Sequence, residues 1–136
     1  RYPLMRALAI PALLALATGA VAAEDPMTAA EFDAYVTGKT LTYTQYGSVF
    51  GIEQYLPDRR VAWRPTGMDC EYGHWFEKGD LICFVYEYSP GEHCWTFWQE
   101  GAGLRARSVD DVPGAELSEV AQTTDGLNCP GPDVGV

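Results

Sequence analysis

The sequence predicts a mainly β protein: an antiparallel meander or a small barrel, with one short helix before it and a disulfide-tethered tail after it. Three observations carry this. Seven short runs rich in Thr, Val, Tyr, Phe and Trp follow one another between residues 40 and 108. Turn residues separate them, among them Gly47-Ser48, Pro57-Asp58, Pro65-Thr66-Gly67, Lys78-Gly79-Asp80, Pro90-Gly91 and Gly101-Ala102-Gly103. No helix-length segment lies between any two runs, so the long crossovers a parallel sheet needs have no place.

The N-terminal segment reads as a secretory signal over residues 1–23. Arg1 and Arg6 supply charge, "ALAIPALLALATGAVAA" supplies an apolar stretch, and Val21 and Ala23 are the small residues before a cleavage point. The apolar run is short for a bilayer span, which needs roughly 20 residues. The expected product is one β-rich domain over residues 24–136, exported to the periplasm or secreted, with no membrane span after cleavage. A chain of that size hides only roughly two-thirds of its surface on folding, so cross-links would help it. Four cysteines, all beyond residue 23, suit two disulfides in an oxidising compartment.

The formal charge is −10, and loss of Arg1 and Arg6 takes it to about −12. Phosphate backbones repel such a chain, which argues against a nucleic-acid partner. A basic protein is the charged partner it suits, while solubility alone is the favoured reading of the charge.

"MTAAEFDAYVTGK" predicts the helix. Thr28 and Glu31 have capping-box spacing. Phe32, Tyr35 and Val36 share one face, and Gly38 ends the segment. The strand runs follow: "TLTYTQY", "VFGIEQYL", "RRVAWR", "EYGHWFE", "LICFVYEY", "CWTFW" and "LRARS". From about residue 111 the pattern fades into an acidic, turn-rich tail. "AELSEVAQ" is expected to make a turn or two of helix there, and Cys129 to tie the tail to the body.

Turn positions set the register of the central strands. A turn at Lys78-Gly79 places His74 opposite Cys83 and Trp75 opposite Ile82. A turn near Pro90-Gly91 places Phe84 opposite Phe97 and Tyr86 opposite Trp95. Gly101-Ala102 places Arg105 opposite Trp98. Side chains alternate across a strand, so two faces separate. One carries Trp75, Ile82, Phe84, Tyr86, Trp95 and Phe97 and is read as a core or barrel interior. The other carries Tyr72, His74, Phe76, Cys83, Glu87, Cys94, Thr96, Trp98, Arg105 and Arg107. Cys83 and Cys94 share this second face; a turn shifted towards Ser89 brings them opposite, within bonding reach. Cys70 would then pair with Cys129. With the turn at Pro90-Gly91, Cys83 and Cys94 stand about four residues out of step, too far to bond, so three connectivities stay open, with this one the expectation.

"GHWFEKGDLICFVYE" followed by "CWTF" resembles a motif of small, mostly uncharacterised secreted proteins of proteobacteria. The matching residues are Gly73, Trp75, Gly79, Asp80, Ile82, Cys83, Phe84, Cys94 and Trp95. "GKTLTY" is similar to the entry into calycin-like (lipocalin-like) barrels. The resemblance spans roughly residues 28–107 and implies a small calycin-like β-barrel. It implies little about function, because such barrels host many tasks.

Chemistry-bearing patterns are sparse. His74, His93, Asp69, Glu71, Glu87 and Glu92 are possible ligands, but no metal-binding spacing joins them, so no metal or other cofactor is expected. A Cys-x-x-Cys pair is absent, as is a Gly-x-Ser-x-Gly context for any serine. The expectation is therefore a non-enzymatic binding module for a small apolar or aromatic ligand. Trp75, Phe84, Tyr86, Trp95 and Phe97 are its candidate lining residues, although a solid packed core, which a domain of this size needs, is the favoured reading of the same rings. His74, Glu87, Trp98 and Arg105 are the candidates on the mixed face, where Trp98 and Arg105 have the pairing for a cation–π stack. Two other expectations compete: an inhibitor of a basic envelope-targeting enzyme, and an envelope accessory protein with no ligand.

Overall fold

The computed structural model of the chain describes Pro3 and residues 25–131. The expected signal segment, Pro3 apart, lies outside the described residues. Helix α1 runs Ala29–Val36. Eight strands follow: β1 Thr40–Gln45, β2 Ser48–Tyr55, β3 Arg60–Pro65, β4 Glu71–Lys78, β5 Leu81–Tyr86, β6 His93–Glu100, β7 Gly103–Ser108 and β8 Leu117–Thr123. Each pairs antiparallel with the next, and β8 pairs with β1, so the sheet closes as an up-and-down barrel. Closure leaves no open sheet edge to recruit another strand.

Thr28 caps α1 as its spacing predicts. Its Oγ1 accepts the Glu31 N–H at 3.2 Å, and the Glu31 carboxylate reaches back to the Thr28 N–H and hydroxyl. Gly38 follows in the left-handed region at φ 84°, a conformation that favours glycine. The helix lies across the end of the barrel where β1 begins and β2 finishes; the Gly38 N–H bonds the Tyr55 carbonyl there at 2.9 Å. Phe32, fully buried, meets the rings of Tyr55, Trp75, Phe84 and Phe97 at centroid distances of 4.5–6.4 Å. Docking of this face supplies the stability that eight residues of helix lack alone.

The seven predicted runs are β1 to β7, but two turns move. The β4–β5 turn is Gly79-Asp80, with Gly79 at φ 59°, so Trp75 faces Phe84 and His74 faces Val85. The β5–β6 register places Ile82 opposite Trp95, Phe84 opposite His93 and Cys83 opposite Cys94. Both slips are even numbers of residues. Because side chains alternate with period two, an even slip changes partners and leaves the faces as predicted. The β6–β7 register, with Trp98 opposite Arg105, stands as expected.

Two disulfides form, Cys83–Cys94 and Cys70–Cys129. This is the pattern of a protein that matures in an oxidising compartment. Among the described residues no helix is long and apolar enough to cross a membrane.

The segment after residue 111 differs from its reading. "AELSEVAQ" is not helical: it holds most of β8, the strand that closes the barrel. Leu117 and Val120 have helical spacing, yet Leu117 is buried and Val120 is 57% exposed. The β1–β8 register shifts at Val120, which is bulged out of the ladder. Such a bulge reverses the inward parity beyond it and erases the two-residue period. The disulfide-tethered tail is therefore shorter, beginning after Thr123. It returns along the outside of the barrel: Thr40 Oγ1 donates to the Asp125 carbonyl, Leu127 N–H donates to Gln54 Oε1, and Cys129 reaches Cys70.

Candidate functional site

The two ends of the barrel are filled differently. At the helix end Phe32, Val36, Leu41, Trp75, Ile82 and Leu104 are all buried to 2% exposure or less. At the opposite end lies a cavity of about 120 Å³. Eight aromatic rings line it: Tyr43, Phe50, Tyr55, Trp63, Phe84, Tyr86, Trp95 and Phe97. Leu117, Ser89, His93 and two carboxylic acids, Glu53 and Glu71, complete the lining. Phe50, Trp63, Trp95 and Ser89 are half-buried and His93 is exposed, so the cavity opens among them.

Local backbone features shape this mouth. The β1–β2 register skips Phe50, which is bulged and turns towards Trp63 and Trp95 at 5.7 and 6.3 Å between centroids. Gly51 follows. A Cβ there would sit 2.2 Å from Trp63 Cη2, so glycine alone lets that indole lie over the strand. Beyond the bulge, Gly51, Glu53 and Tyr55 alternate inward and are buried. On β5 the rings of Phe84 and Tyr86 run parallel, 6.2 Å apart.

Glu53 is 2% exposed. Tyr86 donates its hydroxyl to Glu53 Oε1 at 3.0 Å. Burial drives the Glu53 carboxyl well above the usual carboxylate range; the Tyr86 hydrogen bond opposes this and the nearby Glu71 adds to it. Burial likewise holds the Tyr43, Tyr55 and Tyr86 phenols well above their ordinary value. Tyr43 and Tyr55 join their hydroxyls at 2.8 Å. Glu71 accepts from Ser89 Oγ at 2.7 Å and from the Tyr88 N–H at 3.3 Å, fastening the β5–β6 loop to β4.

Of the predicted lining residues, Phe84, Tyr86, Trp95 and Phe97 stand in the cavity wall. Trp75 is inside the barrel but lies against Phe32 under the helix, away from the cavity. Residues of the mixed face are outside and do not converge. His74 and Glu87 are exposed; Glu87 accepts the Tyr72 N–H at 2.9 Å. Arg105 stacks over Trp98 at 4.5 Å from the ring centre and Arg107 over the same ring at 5.7 Å. Arg105 Nε also lies 2.8 Å from Glu100 Oε2, an ion pair whose N–H is not aligned for a hydrogen bond. Cys83, Glu92 and Cys94 group within ligating distance, but the two sulfurs are bonded to each other.

Glu53, Tyr43, Tyr55, Phe50 and Trp63 were not singled out as site residues by the sequence. Glu71 entered only as a possible metal ligand. A signal for it existed, since it has the same parity on its strand as Trp75. For Glu53 the bulge hid the signal: "VFGIEQYL" offers Phe50 and Ile52 as the more apolar alternate set, and the structure buries Gly51, Glu53 and Tyr55 instead.

The fold and site together define the class: a closed eight-stranded barrel, plugged by a helix at one end and holding an aromatic cavity with a buried acid at the other. No family model matches the chain, and no curated protein and no solved structure matches it.

Proposed function

We propose that this protein is a non-enzymatic binding module of the periplasm or extracellular space, taking a small apolar or aromatic ligand into the open end of its barrel. The observation that supports it is the cavity of about 120 Å³ walled by eight rings, beside a core of buried apolar residues. A dry hollow of that size would cost on the order of 3 kcal/mol, at roughly 24 cal/mol per Å³. A bound molecule recovers that loss through contacts with the ring faces. The cavity matches one small ring or a short branched chain; an apolar protein cavity of about 150 Å³ accommodates benzene.

Trp63 and Trp95 stand in the wall, so intrinsic fluorescence reports occupancy. Titration with small neutral aromatics such as benzyl alcohol and indole is expected to give a saturable fluorescence change and a rise in Tm. At one hundred times Kd the stabilisation is about 2.7 kcal/mol. Leu117→Trp, which fills the hollow from β8, is expected to abolish both. Neither response to any probe of this size would refute the reading.

A further inference from the structure

The cavity's chemistry selects among ligands that would fit its size. Its walls combine ring faces with acids: Glu53 and Glu71 line it and, among the described residues, no lysine or arginine does. The two acids differ. Both carboxylate oxygens of Glu71 are bonded, one to Ser89 Oγ and one to the Tyr88 N–H. Glu53, 2% exposed as a residue, takes the Tyr86 hydroxyl on Oε1, and no side chain or backbone group among the described residues donates to its Oε2. Glu53 is therefore the acid whose second oxygen is left for a bound group.

We infer that the ligand of this cavity is a small organic cation, an alkyl- or arylammonium whose N–H donates to Glu53 Oε2 while its carbons lie between the ring faces. The inference rests on the cavity being a ligand site. An anion would meet two carboxyls and the negative faces of eight rings. A neutral hydrocarbon would make no use of either acid. A cation satisfies both features, because ring faces attract positive charge and do so most strongly when water is excluded.

Proton balance follows from the same groups. Tyr43 from β1, Tyr55 from β2, Glu71 from β4 and Tyr86 from β5 face Glu53, and His93 of β6 stands at the mouth. In the empty barrel burial favours the protonated form of the Glu53 carboxyl. The ammonium replaces that proton as the balancing charge: Glu53–COOH and R–NH₃⁺ give Glu53–COO⁻ paired with R–NH₃⁺, and one proton leaves for solvent. Affinity for the ammonium therefore rises with pH until the amine itself deprotonates.

The test compares benzylamine, benzyl alcohol and benzoate, which share a ring and differ in charge, by fluorescence titration and calorimetry at pH 7.5. Benzylamine is expected to bind at least about tenfold tighter than benzyl alcohol, with benzoate weakest. Repeated at a series of pH values upward from pH 5, the titration is expected to show the advantage of benzylamine over benzyl alcohol rising with pH. Glu53→Gln is expected to bring the amine's advantage to within about twofold of the alcohol. Benzyl alcohol binding as tightly as benzylamine would overturn the cation inference and leave the apolar-ligand function standing. Silence from all three probes would instead remove the ligand site itself. Should Glu53→Gln fail to fold, the wild-type pH series decides: a benzylamine advantage that does not rise with pH counts against the inference.

Discussion

The helix end and the open end of this barrel are built from the same kinds of residue and reach opposite results. At the helix end Phe32 enters among Tyr55, Trp75, Phe84 and Phe97 and fills the space. At the other end no helix among the described residues enters, and Phe50, Trp63 and Trp95 stand half-buried around a hollow. An alternating aromatic strand does not by itself make a core or a site. What decides is whether another element supplies a side chain to the barrel's mouth. Both disulfides serve the open half: Cys70 directly precedes β4 there, and Cys94 is the second residue of β6. Where packing is thinner, covalent links hold the strands.

The strongest way to break this comparison is to truncate one ring at each end. Phe32→Ala is expected to cost about 3–5 kcal/mol in denaturant unfolding. Phe50→Ala should cost only about 1–2 kcal/mol, since its ring is already half in water. Equal losses would mean that the open end is packed as tightly as the closed one. Next in size are the bridges. Replacing Cys70 and Cys129 together by Ser should cost about 2–4 kcal/mol, and replacing Cys83 and Cys94 about 1 kcal/mol less. The first pair spans 59 residues and the second 11, so the first restricts the unfolded chain more.

A third prediction concerns pH. The Glu53 carboxyl keeps its proton to higher pH in the folded barrel than in the unfolded chain, where its ordinary value is near 4.5. The folded state therefore binds more protons above that value. This contribution to stability is fully present below about pH 4.5 and is lost as pH rises towards the folded value. Tm measured against pH should fall along this limb in the wild type. Glu53→Gln should flatten the limb and be the more stable protein at its alkaline end. A limb unchanged in the variant would assign it to other groups. The smallest effect is at the helix: Thr28→Ala removes the cap and should cost about 1 kcal/mol by thermal unfolding, leaving ligand-probe fluorescence at the far end unchanged.

Much of the fold is legible in the residues. Thr28, Glu31 and Gly38 mark the helix, and their signals are local hydrogen bonds and a local φ. Strands β1 to β7 show in their composition and in the turns between them. The inward set of β4, β5 and β6 is legible because parity survives an even slip in register. The candidate site is legible only in part. Phe84, Tyr86, Trp95 and Phe97 follow from parity, whereas Glu53 and the strand β8 do not. Both lie beside bulges, at Phe50 and at Val120, and one unpaired residue reverses which alternate set faces inward.

By itself the sequence determined the class of element at most positions, because capping, turn conformation and strand alternation each act over a few residues. It also determined which chemistry was present in quantity: aromatic rings, acids and paired cysteines. Only the tertiary structure decided that eight strands close, that α1 plugs one end, and that Glu53 faces inward among the rings. Those outcomes depend on contacts between residues far apart in the chain, where the position of one bulge or one docked helix decides what is buried and what is left open.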